Sequence, residues 1–130
     1  MFEYPSVEKI IEFNLLSLSL IKAKKADSSR VLSRAKIVAV VDSCRGIEGD
    51  VFGKAVVLLK GLIQAHAFAS GNRRTAFLVM KYFLVMNNQK LGVEDKPENA
   101  KVLLGIRENF YSDGEIKEWI KDGKIKEFKR

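Results

Sequence analysis

Apolar residues recur at helical spacing along nearly the whole chain. Ser6 has the chemistry of a helix N-cap, and Ile10, Ile11, Phe13, Leu15, Leu16, Leu18 and Leu20 after it predict a first helix to about Lys25. Asp27-Ser28-Ser29 predicts the cap of a second helix through Val31, Leu32, Ile37, Val38 and Val41. From Cys44 to Asp50, two glycines close together predict a loop. A third helix is expected from about Val51 to Ala65 and a fourth from about Asn72 to Asn88. Both are apolar on nearly every side, as helices at the centre of a bundle are. Leu91 to Lys96 reads as a loop, and Pro97 opens a fifth helix whose Val102, Leu103, Leu104 and Ile106 face inward. Asp113-Gly114 starts a short sixth helix through Ile116, Trp119 and Ile120, ending at Gly123. Residues 124–130 are mostly charged and read as a frayed tail or a short strand. The expectation is one all-α domain over 1–130, a bundle of about six helices around a central apolar pair.

Composition narrows this picture. At 47% hydrophobic residues the chain can bury a core without disulfides. Its one cysteine, Cys44, has no partner, which suits a reducing cytoplasm; a lone cysteine is most often a small buried hydrophobe. No basic start followed by an apolar run opens the chain, and Lys54, Lys60, His66 and Lys81 interrupt the apolar stretches, so no membrane span is expected. The net charge of +7 attracts anions without choosing among nucleotides, nucleic acid and acidic proteins.

The chemistry gathers between the two central helices. His66 is the only histidine; Ser70-Gly71-Asn72 follows, then Arg73 and Arg74 in the first turn of the fourth helix. Cations there face the positive end of the helix dipole and cost up to about 1 kcal/mol each. A bound anion reverses the sign. Free N–H groups at a helix start, a glycine and two guanidinium groups together describe a phosphate site. Each feature alone has an ordinary reading: Ser-Gly-Asn is common turn and cap chemistry, and Ser70 can be a simple N-cap. Their convergence on nine residues favours the site.

The run resembles the Fic motif, His-Pro-Phe-x-(Asp/Glu)-Gly-Asn-(Gly/Lys)-Arg, and more closely the Doc (death-on-curing) version, His-x-Phe-x-Asp-x-Asn-Lys-Arg-Thr. His66, Phe68, Asn72, Arg74 and Thr75 fall in register, with Gly71 as in the Fic form. The resemblance implies a cytoplasmic, ATP-using transferase. His66 would be the general base taking a proton from a hydroxyl of a target protein, a role that a neutral imidazole can fill. Phe68 would anchor the loop. Gly71, Asn72, Arg73 and Arg74 would hold the phosphates, with Arg74 neutralising the polyphosphate. Arg73 stands where Doc has lysine, and Phe77 where Fic adenylyltransferases carry a further arginine. Both point to Doc-like phosphotransfer, over AMP transfer, by the toxin of a toxin–antitoxin pair. The implied partners are a target such as a translation elongation factor, and an antitoxin.

Ser70 departs from the pattern, because the family places there the acidic residue that holds Mg2+. A hydroxyl is a neutral, weaker ligand. Three readings stay open: a metal held mainly by ATP's phosphates, a weakened enzyme, or a nucleotide or partner binder without activity. The family's self-inhibitory signature is not matched by Ser43 to Gly49, which has one residue too many; that loop is instead a candidate flap for a target segment. A nucleic-acid-binding module is the competing class. Lys22, Lys24, Lys25 and Arg30 support it, but the cations are scattered and no recognition-helix motif appears.

Overall fold

The computed structural model describes residues 1–21 and 30–129. Among them six helices follow in order: α1 (Val7–Ile21), α2 (Arg34–Gly46), α3 (Val51–Ala65), α4 (Asn72–Met86), α5 (Asn99–Arg107) and α6 (Asp113–Asp122). The β pairing among these residues is one isolated antiparallel bridge, Val31 to Phe68. The all-α class expected from the pattern is the class observed.

The centre is set by the apolar character of α3. It packs on α2, α4, α5 and α6, while α4 packs on α3 and α1. Ala55, Leu58, Leu59 and Leu62 of α3 are buried against Ala76, Val79, Met80, Phe83 and Leu84 of α4 and neighbouring elements. Each large aliphatic or aromatic side chain removed from water in this way contributes about 1.5–3 kcal/mol. Ile116, Trp119 and Ile120 of α6 close the core, and Trp119 meets Phe77 of α4 with ring centroids 6.0 Å apart.

Of the two lysines in α3, Lys54 has its role on the neighbouring helix. Lys54 is buried, and its Nζ donates to the carbonyls of Cys44, Arg45 and Ile47 at 3.0, 3.2 and 2.6 Å. These carbonyls end α2, where four acceptors lack intrahelical donors and the dipole is negative. The Phe2 and Tyr4 rings lie beside the ammonium group. Because Lys54 completes its end, α2 runs on through Gly46, and the loop shrinks to residues 47–50. Asp50 then caps α3, its Oδ1 accepting from Gly53 N at 2.8 Å.

The second helix begins later than the pattern predicts. Ser33 is its N-cap, with Oγ accepting from Lys36 N at 3.2 Å. Val31 and Leu32 lie before it, exposed, with their main chain engaged in another pairing described below. The expected reach of the first helix to Lys25 and the Asp27-Ser28-Ser29 cap fall outside the described residues, as do Lys22, Lys24 and Lys25. Ser6 does cap α1, accepting from Lys9 N at 3.1 Å.

At the other end, Ser112 and Glu115 form a capping box on α6, and Gly123 ends it in the left-handed conformation. Residues 124–129 carry neither helix nor strand, yet they do not fray. Phe128 is buried, and the Tyr111 hydroxyl donates to Lys126 O at 2.9 Å. The apolar ring outweighs the charges around it.

Candidate functional site

Every residue from His66 to Thr75 lies in the connection of the α3–α4 hairpin or the first turn of α4. His66 ends α3 in the left-handed region, with φ 51° and ψ 49°, which turns the chain sharply out of the helix. Its side chain is exposed. Ala67 and Phe68 are buried next, and the Phe68 ring, 2% exposed, seats the loop on the core.

Asn72 closes the turn from inside. Its Oδ1 accepts from Phe68 N at 3.1 Å, and its Nδ2 donates to Phe68 O at 2.9 Å. The same Nδ2 stands 3.5 Å from His66 Nδ1, the outer limit of a hydrogen bond. The Asn72 amide thus binds the loop's own backbone and touches the histidine, where the sequence suggested only a phosphate ligand.

Gly71, not Ser70, is the N-cap of α4. It has φ 76°, and no side chain caps this helix. The reading of Ser70 as a simple helix cap is therefore corrected: its carbonyl is used instead, accepting from Asn14 Nδ2 at 2.9 Å. An uncapped helix start with Arg73 and Arg74 exposed in its first turn leaves N–H groups and positive charge directed at one place.

Two residues that sequence reasoning missed fix this turn. Asn14 and Ser17 of α1 are fully buried, as is Thr75 of α4. Asn14 Nδ2 also reaches Thr75 Oγ1 at 3.1 Å, and Ser17 Oγ lies 3.2 Å from the same hydroxyl. A Cβ on Gly71 would meet Ser17 Oγ at 3.1 Å, Leu18 Cδ2 at 3.2 Å and Asn14 Nδ2 at 3.4 Å. The signal was present: Ile10, Asn14 and Ser17 follow the i, i+4, i+7 spacing of α1's inward stripe. Polar residues on such a stripe need partners.

A cleft of about 910 Å³ opens over this turn. His66, Ser70, Gly71, Asn72, Arg73 and Arg74 all line it, so the predicted polar residues come together on one wall. Lys81, Lys96 and Arg107 line it too, and among the described residues Asp95 is its single carboxylate. Among the described residues these five lysines and arginines take no part in an ion pair. The cleft is thus strongly cationic and suited to a polyanion. The segment Ser43 to Gly49, the candidate flap, supplies none of its lining. Cys44 is buried elsewhere, and burial pushes its thiol up to about 11, which fits a packing role.

The donor set for a metal is poor. Among the described residues no three His, Cys, Asp or Glu side chains group to hold one, and Ser70 offers a neutral oxygen. These residues do not fit a resident magnesium site. Among the described residues no helix is long and apolar enough to cross a membrane.

Residues 26–84 match the Fic/DOC family. The matched stretch contains α2, α3, the connection from His66 to Gly71 and α4 as far as Leu84. A comparison with curated proteins finds no match for the chain.

Proposed function

We propose that this protein transfers the terminal phosphate of ATP to a hydroxyl side chain of a target protein, as a Doc-like toxin of a toxin–antitoxin pair. The observation that carries the reading is the cationic cleft at the uncapped start of α4, with His66 on the same wall as Arg73 and Arg74. The match of residues 26–84 to the Fic/DOC family supports it. The target class, a translation elongation factor, and an antitoxin partner rest on the resemblance of the His66–Thr75 run to the Doc motif.

In this mechanism the phosphate chain lies over the first turn of α4, against its N–H groups and the Arg73 and Arg74 guanidinium groups. The target hydroxyl approaches from the side of His66, whose imidazole takes the proton. The hydroxyl oxygen bonds to the terminal phosphorus as the bond to the β–γ bridging oxygen breaks, and ADP leaves. Fixed positive charge around the departing ADP lowers the barrier, because little else is needed in phosphoryl transfer. ATP enters as its magnesium complex, a substrate whose metal is held by the phosphates. Ser70 then makes transfer slower than an acidic residue would.

The test uses ATP labelled on either the terminal or the alpha phosphate, with magnesium and a cell extract. Wild type is expected to move only the terminal label onto a protein, and His66→Ala to move none. Transfer of the alpha label means AMP transfer instead. Absence of both, in folded protein that still binds ATP, means a nucleotide binder without activity.

A further inference from the structure

The cleft is not uniformly charged, and its polarity has a direction. On α4, Arg73, Phe77 and Lys81 follow at i, i+4 and i+8, one ridge about 12 Å long. On α5, Asn99, Leu103 and Arg107 repeat that spacing along the lining that α5 supplies. The two ridges run in opposite directions. Gln64, near the end of α3, donates to Ile106 O at 3.3 Å and to Asn109 Oδ1 at 2.7 Å, so the end of α5 lies beside the end of α3. The end of α3 is also where the chain turns through His66 into the start of α4. Arg107 therefore belongs to the same end of the cleft as His66, Arg73 and Arg74. Lys81 and Lys96 belong to the other end, and Phe77 and Leu103 form an apolar waist between.

We infer that Arg107 is the second jaw of a clamp on a nucleoside polyphosphate. The phosphate chain sits between Arg107 on α5 and the Arg73–Arg74 turn of α4, and the base lies toward Phe77 and Leu103. This rests on the nucleotide reading above and adds to it a residue outside the matched stretch 26–84. Arg107 is exposed and, among the described residues, in no ion pair; its neighbour Lys101 on the same helix is paired with Glu127 at 3.0 Å. A guanidinium on one wall facing two on the other can bind oxygens of successive phosphates with its planar fork, which a lysine cannot reproduce. A cation in the last turn of a helix is also favoured by the dipole alone. That ordinary role predicts a loss of stability without any preference among ligands.

Calorimetric titration of wild type, Arg107→Ala, Arg107→Lys, Arg74→Ala and Lys101→Ala distinguishes the two. The ligands are ATP, AMP, adenosine and inorganic tripolyphosphate, with a melting curve for each variant. Arg107→Ala is expected to weaken ATP and tripolyphosphate by about ten- to a hundredfold. It should change adenosine by less than about threefold, with Arg107→Lys intermediate and Lys101→Ala like wild type. Equal weakening of adenosine and ATP, or unchanged tripolyphosphate binding in Arg107→Ala while Arg74→Ala loses it, overturns the clamp and leaves the nucleotide reading standing. A wild type that binds neither ATP nor tripolyphosphate overturns both.

Discussion

Asn14 on the first helix donates to the carbonyl of Ser70 at 2.9 Å across 56 positions of sequence, from a fully buried site. The bond makes the conformation of the Ser70–Gly71 turn depend on a helix from which, among the described residues, none lines the cleft. Asn14→Ala should leave the Ser70 carbonyl and the Thr75 hydroxyl short of a donor and destabilise the fold by about 1–3 kcal/mol. Asn14→Asp should do more harm, because an ionised carboxylate sets an acceptor against the carbonyl. Denaturant titration measures both, and ATP affinity should fall in the Asn14→Ala variant under conditions where it stays folded.

Gly71 is constrained twice, by its positive φ and by α1. Gly71→Ala meets the left-handed penalty and presses a methyl group on Ser17 and Leu18, for a loss of about 1–3 kcal/mol. Gly71→Asn separates the two causes, since asparagine tolerates the backbone angle but not the crowding. Similar thermal shifts for both variants would mean that crowding dominates.

The Phe68 ring is the loop's apolar anchor, and Phe68→Ala should cost about 3–5 kcal/mol. His66→Ala removes an exposed ring and should change stability by less than about 0.5 kcal/mol while abolishing transfer. The pair of melting curves tells anchor from base.

Ser70→Asp places a carboxylate beside Gly71 at the start of α4, and on the proposed mechanism magnesium-dependent transfer should rise. The rate is read with the same labelled ATP and extract. Unchanged transfer in folded Ser70→Asp protein means that impairment does not lie in this residue alone.

Cys44 gives stability a pH dependence with a definite sign. Burial raises its thiol from 9.0 to about 11, so the fold favours the neutral form. That contribution is fully present below the unfolded value and is lost as pH rises from about 9 to about 11, by about 3 kcal/mol in all. Cys44→Ala should flatten that part of the stability curve, followed by urea unfolding at each pH. Equal slopes in wild type and variant over this window would falsify the assignment.

The parts of this structure legible in the sequence are those fixed by local chemistry. The third and fourth helices follow from apolar runs with no competing signal, and their meeting point follows from Gly71 and from the arginines on the wrong end of a dipole. What could not be read depends on pairings across the chain. Lys54 looks like an interruption of α3 until the end of α2 is set beside it. Ser33 displaces an earlier cap because residues 30–33 engage the main chain of 67–69. Asn14 and Ser17 break a helical stripe by pattern alone, and their partners Ser70 and Thr75 become visible only when α1 is laid on α4. Arg107, at the end of α5, gives no local hint of the cleft it lines.

Among the described residues, residues 30–33 and the motif loop are tied by main-chain hydrogen bonds: Leu32 N and Ser33 N on Ala67 O at 2.8 and 3.2 Å, and Ala69 N on Arg30 O at 3.0 Å. Main-chain pairing of this kind is indifferent to which side chains it carries, and those of Val31 and Leu32 point into solvent. Position and identity are therefore decoupled on this rim. Its side chains can be changed residue by residue while the main-chain spacing between that surface and the histidine stays constant.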